Sequence, residues 1–385
     1  MTLLYGLLTL ALSAGFAKLT AVVVNWFEAH PLHKFVFWLT KLSGVLAFPA
    51  GIVWFGLGLC TAQLSAPDLR SQWVASCTAA MIGLVWLAGD AIRFQRYRPP
   101  ACVTDYRCTR HDLRVEVGPQ VQGRHRSGWM LRLPGNQQFL LDCVEFTAHV
   151  PDLPAAWDGV TIAHFSDSHF RGSVSEEWFA AVADHIAAGT PDLIVFSGDL
   201  LDDPRTRAWV PATFGKLSAP WGCWYILGNH DWLQEAEASR AALEAAGWQP
   251  LAGRVVELRR EGAGLLLAGS EAPWMPPRPE VDGLPPGGFR ILVSHSPDEI
   301  GWARRQGFQL MFAGHTHGGQ IRLPLLGPVF SPSRYGVRFS AGEFFVDPTL
   351  LVVSRGLSGR DPLRYGCPPQ ISRVTLRRDT PAQHA

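Results

Sequence analysis

Along the first 92 residues the hydrophobic positions run together instead of recurring on one face. Residues 42–64 carry no Asp, Glu, Lys or Arg, residues 73–89 carry none, and residues 3–26 carry only Lys18. A helix needs about 20 apolar residues to cross a hydrocarbon core of ~30 Å. The runs predict two or three membrane-spanning helices, and the three-span reading is 3–25, 36–64 and 73–92. A cleaved leader opens on a basic stretch and closes on a small-residue cleavage site. Here no Lys or Arg precedes Lys18 and two further apolar runs follow, so the expectation is retained helices.

Beyond residue 92 the period changes. LRVEV (113–117) and FLLDCVEFTAHV (139–150) alternate apolar and polar, as half-buried strands do. From residue 160 short apolar runs end in polar residues: VTIAHFSDSH (160–169), PDLIVFSGD (191–199), CWYILGNHD (223–231), LLLAGSE (265–271), FRILVSHS (289–296) and FQLMFAGHTHGGQ (308–320). Helices are predicted at about 174–189 and at 234–247, where Gly247 stands in the capping position. The expected organisation is membrane helices over 1–92, a connector with short strands over 93–156, an α/β domain over 157–378 and a polar tail over 379–385. The Pro/Gly-rich stretch 273–288 reads as an ordered surface loop, because patterned segments flank it.

Composition sharpens this division. Seven of the chain's 67 charged residues fall in 1–92. The net charge of +1 argues against a dedicated nucleic-acid binder, and 21 Phe with 15 Trp exclude disorder over most of the length. Seven cysteines without CxxC spacing imply no disulfide framework and point to a reducing compartment. Arg93, Arg96 and Arg98 follow the third run, while Lys34 and Lys41 flank the first loop. With three spans these clusters share one side, which predicts a multi-pass protein of the cell membrane with residues 93–385 in the cytoplasm.

Metal-type side chains stand where five of the predicted strands end: Asp167, His169, Asp199, Asn229, His230, His295, His315 and His317. In α/β sheets the ligand crevice lies beyond the carboxyl ends of the strands, so distant positions converge there. If strand geometry persists, Asp167 with His169, and His315 with His317, face one side. A nitrogen and oxygen set without thiolate suits Mn²⁺, Fe or Zn²⁺. Even seven of these eight side chains as ligands are too many for one closed tetrahedral zinc. They suit two ions if one carboxylate bridges, and such ion pairs hydrolyse phosphoesters. The other histidines read differently: His164 as a group within the first strand, and His111, His125, His149 and His185 as surface residues.

These blocks, D-x-H at 167–169, GDLLD at 198–202, GNHD at 228–231, the single His295 and GHTH at 314–317, resemble the calcineurin-like metallophosphoesterase superfamily over about residues 155–375. The resemblance implies a four-layer αββα sandwich of two mixed sheets with two divalent ions at its edge, Mn²⁺ first and Fe or Zn²⁺ as alternatives. It implies that Asp167, His169, Asp199 and His317 hold one ion. Asp199 would bridge, and Asn229, His295 and His315 would complete the other. His230 would protonate the leaving oxygen, with Asp231 as its orienting partner.

The stretches GHTHGGQIRLP (314–324), SRGLSG (354–359) and YGCPPQISRVTL (365–376) are similar to a membrane-associated bacterial branch of that superfamily. Some of its members are UDP-2,3-diacylglucosamine pyrophosphatases of lipid A synthesis and others are phosphodiesterases. The expected partners are therefore the bilayer and a lipid-linked nucleotide diphosphate, cleaved to UMP and a lipid monophosphate. The alternatives are another nucleotide or phospholipid substrate, or a non-catalytic membrane scaffold. No nucleic-acid or protein partner is read from the sequence. Asn229, Arg171, Arg334 and Arg338, with Arg355, are candidates to bind the phosphates, and Trp274, Met275 and Leu284 are candidates to meet acyl chains.

Overall fold

The computed structural model describes residues 2–31, 34–60, 67–275, 277–283 and 288–378. The expected tail (379–385) and Leu284 lie outside the described residues. Three helices are long and apolar enough to cross a membrane: α1 (Thr2–Glu28), α2 (Lys34–Cys60) and α3 (Pro67–Arg96). Five shorter α-helices follow among the described residues: α4 (Leu113–Val117), α5 (Glu176–Ala188), α6 (Asn229–Leu233), α7 (Ala236–Ala245) and α8 (Ile300–Arg305). The strands, in chain order, are β1 (Val103–Asp112), β2 (Leu140–Val150), β3 (Thr161–Phe165), β4 (Leu193–Ser197), β5 (Cys223–Ile226), β6 (Gln249–Pro250), β7 (Val255–Arg260), β8 (Ala263–Ser270), β9 (Phe289–Ser294), β10 (Leu310–Ala313), β11 (Arg322–Leu323), β12 (Gly327–Pro328), β13 (Gly342–Val346), β14 (Thr349–Val353) and β15 (Gln370–Arg378). The chain divides into two units, one of residues 1–97 with Arg322–Arg338, the other of Arg98–Ile321 with residues from Phe339 onward.

In the helical unit the usual distribution of polarity is inverted. Leu3, Leu7, Val45, Val53 and Val85 are exposed, whereas Ser13, Lys18 and Asn25 of α1 are buried. That is the arrangement a lipid-facing bundle needs, with polar groups turned to protein partners. Lys18 Nζ pairs with Asp90 Oδ2 of α3 at 2.6 Å, and Arg93 meets the other Asp90 oxygen at 2.7 Å. The antiparallel β11–β12 ribbon rests on the end of α3, where Gln95 Nε2 donates to Leu325 O at 2.8 Å. Ser331 N donates to Asn25 Oδ1 at 3.1 Å.

The second unit is built from two sheets. One has the order β1-β2-β15-β3-β4-β5-β6, the other β13-β14-β10-β9-β8-β7. Strands β3, β4 and β5 run parallel, as do β8, β9, β10 and β14. Val144, Ile162, Val195 and Ile226 of the first sheet meet Leu267, Ile291, Phe312 and Val352 of the second in a dry layer between them. The outer face of the first sheet packs on α5 and α7 through Trp178, Val182, Leu243 and Trp248. The second packs on α8 through Ile300 and Ala303. The result is the mixed αββα sandwich expected of the fold class.

One expected strand is not a strand. LRVEV (113–117) forms α4 because Asp112 accepts the Arg114 N–H at 3.0 Å and starts a helical turn. Only Leu113 of the five is buried, so its alternation has no second buried position to satisfy. The stretch expected as a connector carries β1 and β2, which form one edge of the seven-stranded sheet.

Candidate active site

Each candidate metal ligand stands just past a buried parallel strand, because the apolar run ends there and the chain leaves the sheet. The turn is sharp. Asp167, His169, Asp199, His315 and His317 all have left-handed backbones, with φ between 43° and 68°. Non-glycine residues seldom adopt this conformation and persist in it where the surroundings over-determine it. The shared facing of Asp167 with His169, and of His315 with His317, thus comes from left-handed turns and not from continued strand geometry. Gly228 is required for a different reason: a Cβ there would lie 2.2 Å from Asp199 Oδ1.

The structure brings these side chains into two groups that share Asp199. His169 Nε2 lies 3.4 Å from Asp199 Oδ2, 3.9 Å from Asp167 Oδ1 and 3.2 Å from His317 Nε2, and His317 Nε2 lies 3.6 Å from Asp167 Oδ1. On the other side of Asp199, His295 Nε2 stands 3.3 Å from Oδ2, 3.0 Å from Asn229 Oδ1 and 3.2 Å from His315 Nδ1. Asp167, Asp199 and His295 are wholly buried. Asp199 Oδ2 is buried with no hydrogen-bond donor, and an unpaired buried carboxylate oxygen is costly. A divalent ion bound by it and by the convergent imidazoles would remove that cost, so the residues fit a metal.

Charge in the cluster is balanced by proximity. Burial lowers His169, but Asp202, Asp199 and Asp167 raise it to about 9. Burial lowers His295 too, and Asp199 with Asp167 raises it to about 9. Burial raises Asp199, yet His295, His230 and His169 hold it well below the usual carboxylate range. His317 is pushed well below its ordinary value by burial and by His169 and Arg364.

Asp231 does not touch the His230 side chain. Its carboxylate accepts from the N–H groups of Leu200, Leu201 and Gly228 at 2.9–3.4 Å, and burial together with Asp199 raises it to about 6. It shapes the two ligand loops. The carboxylate that meets His230 is Asp202, whose Oδ1 lies 2.5 Å from His230 Nδ1 and whose Oδ2 lies 3.3 Å from His169 Nδ1. Sequence reasoning assigned Asp202 no role, although GDLLD displays it three residues after Asp199.

Other support was equally hidden. His317 Nδ1 lies 2.9 Å from Ser358 O, and the buried Arg364 guanidinium donates to the carbonyls of His317, Ser358 and Arg355. Leu227 N donates to Glu271 Oε1 at 2.6 Å, and Arg240 holds that carboxylate, fixing the approach to GNHD.

The arginine candidates divide. Arg171 donates to Arg360 O and stands 4.0 Å from Asp361. Arg355 is engaged by Asp142 at 2.8 Å and Gln370 at 2.8 Å. Arg334 and Arg338 belong to the helical unit. Trp274, expected to meet acyl chains, is buried with its ring 4.8 Å from the His315 ring and 5.6 Å from that of His295. Met275 packs on the hydrophobic core and on Arg240. His164 is buried in β3 and bonds Ser197 Oγ at 2.9 Å.

A family model described as calcineurin-like phosphoesterase matches residues 160–319. The uncharacterized metallophosphoesterase YkuE of Bacillus subtilis is 33% identical over 248 residues, which cover 62% of this chain and 86% of that protein. The phosphodiesterase YaeI of Escherichia coli is 28% identical over 227 residues, covering 56% of this chain and 81% of the relative. The UDP-2,3-diacylglucosamine pyrophosphatase LpxG of Chlamydia trachomatis serovar D is 25% identical over 294 residues, covering 60% of this chain and 88% of the relative.

Proposed function

We propose that this chain, which belongs to the calcineurin-like phosphoesterase family and is a metal-dependent hydrolase, cleaves the diphosphate of a membrane-resident nucleotide lipid of the UDP-2,3-diacylglucosamine type. The products are UMP and a lipid monophosphate. Two divalent ions sharing Asp199 would supply Lewis acidity and a bound water of lowered pKa. Asp167, His169 and His317 would hold one of them, and Asn229, His295 and His315 the other. Mn²⁺ suits this mixed nitrogen and oxygen set, with Fe or Zn²⁺ as alternatives.

His230 is the proton donor to the departing oxygen. Asp202 accepts from its Nδ1 and leaves Nε2 to reach the substrate. Arg171, partly buried beside the 360–361 turn, is the arginine of the catalytic unit left to bind phosphate.

The observation that carries the lipid reading is chain connectivity. Residues 322–338 follow GHTHGGQ directly, yet belong to the unit of the three membrane-length helices. A hydrolase tethered in this way gains access to an amphiphile held in the bilayer. The Chlamydia relative's name supports the same substrate class. The E. coli relative's name supports a second reading, phosphodiesterase action on another substrate. The catalytic unit sits on the cytoplasmic side by the charge argument of Arg93, Arg96 and Arg98.

Expression of this chain in cells depleted of their lipid A diphosphate hydrolase tests the proposal. Rescue by the wild type but not by Asp199→Ala is expected. No rescue, with the purified chain active on simple phosphodiesters, would overturn the lipid substrate and favour the second reading.

A further inference from the structure

The face of the catalytic unit formed by β1, β2 and α5 carries a second convergence of ligand-type side chains. In the β1–β2 ladder His111 pairs with Leu141, and Thr109 pairs with Cys143. Opposed residues, and residues two apart, share a face of a sheet. His111 and Cys143 therefore project to the same side. On that side α5 brings His185, whose ring lies 4.3 Å from the His111 ring. One nitrogen of each ring and the Cys143 sulfur all lie within 4.8 Å of one another. Glu116 of α4 closes the group, with Oε2 2.7 Å from His185 Nε2 and Oε1 3.3 Å from His111 Nδ1.

A half-exposed histidine pair bridged by one carboxylate would account for Glu116 and the two rings. It does not account for a thiol within the same sphere. Two imidazoles, a sulfur and a carboxylate oxygen from four different elements form a complete set for tetrahedral zinc. Thiolate with imidazole selects zinc over the harder ions that favour all-oxygen sites. Zinc bonds of 2.0–2.3 Å set ligand atoms about 3.3–3.8 Å apart in a tetrahedron. The 4.8 Å spread of His111, Cys143 and His185 thus needs a closure of about 1 Å, and Glu116, which stands 2.7 and 3.3 Å from the two rings, must also swing toward Cys143, a movement within reach of side chains at the surface.

We propose that His111, Cys143, His185 and Glu116 bind a zinc ion, separate from the centre that shares Asp199. Four protein ligands leave no open position, so the ion is structural. It clips β1, β2 and α4 to α5, the helix that begins seven residues after His169. In the absence of a cation, burial pushes the Cys143 thiol up to about 12. Binding therefore expels its proton.

Cobalt substitution separates the two centres, because the catalytic ligand set contains no cysteine. The full chain in detergent, loaded with Co²⁺, should show a thiolate-to-cobalt charge-transfer band in the near ultraviolet. Cys143→Ser and His185→Ala should each lose the band and one equivalent of bound metal, while Cys367→Ser keeps both. If Cys143→Ser fails to fold, His111→Ala at the half-buried end of β1 makes the same measurement. Absence of the band from the wild type, or its persistence when Cys143 or His111 is replaced, would overturn the site. A chain with no hydrolase activity that still shows the band keeps this site and refutes only the catalytic reading.

Discussion

Replacing Asp202 with asparagine tests the logic of the catalytic centre at one atom pair. A carboxylate only accepts hydrogen bonds, so Asp202 Oδ1 draws the N–H of His230 Nδ1, while its Oδ2 stands 3.3 Å from His169 Nδ1 as an ion-pair contact without a hydrogen bond. Each ring then has its Nε2 available, His169 toward the metal ligands and His230 toward the substrate. Asparagine offers one acceptor and one amide donor. With its oxygen kept on His230, asparagine presents its amide N–H to His169 Nδ1, which favours the His169 tautomer carrying a proton on the Nε2 that has to bind; turned the other way, it deprives His230 of its acceptor. A hydrogen bond to a charged group is worth about 1.5–3 kcal/mol, and 1.36 kcal/mol is tenfold in rate. Loss at His230 alone then lowers kcat about 10- to 150-fold. Loss at His169 weakens the metal site about 10- to 100-fold, as outer partners of metal ligands generally do. The assay is kcat on a phosphodiester across a metal titration, with Asp231→Asn as the contrast. Asp231 bonds backbone N–H groups, so its replacement should lower thermal stability more than it raises the metal requirement. A kcat for Asp202→Asn within threefold of wild type at saturating metal would refute the reasoning, as would identical metal titrations for the two variants.

Three further outcomes are expected. His230→Ala should lower kcat about 10²- to 10⁴-fold on an alkyl phosphoester and much less with a nitrophenol leaving group, which needs little protonation. Equal losses on both would show that His230 positions phosphate instead. In the helical unit, Asp90→Leu strands the buried Lys18 ammonium and should cost about 3–5 kcal/mol, while Lys18→Met with Asp90→Leu recovers most of it in thermal unfolding in detergent. A double variant no more stable than the single would contradict the pairing. Gly83→Ala should destabilise by about 1–3 kcal/mol, because its Cβ would lie 1.9 Å from Gly15 O. Gly89→Ala should not, since its nearest neighbour stands 3.9 Å away, and equal unfolding temperatures for the two would refute the close crossing of α1 and α3.

What the sequence determined by itself is what local pattern encodes. Uninterrupted apolar runs set α1, α2 and α3, because the requirement to cover a bilayer's thickness acts on consecutive residues. Short β-branched and aromatic runs set β3, β4, β5, β9 and β10, and the donors at their ends were visible because a ligand must follow where a buried strand stops. Long-range pairing lay beyond that reach. Nothing local distinguishes Asp202 from Asp231, and only the packing of the GDLLD turn against GNHD gives His230 to the former and the backbone amides to the latter. Arg355 looks like a phosphate ligand until β15 lies beside β2 and hands it Asp142. Trp274 looks like an acyl contact until its loop folds it behind His295 and His315. His111, Cys143 and His185 form no motif in sequence and are separated by tens of positions. They share a face only because β1 pairs with β2 in one register and α5 packs over them, and register and packing are properties of the whole sheet.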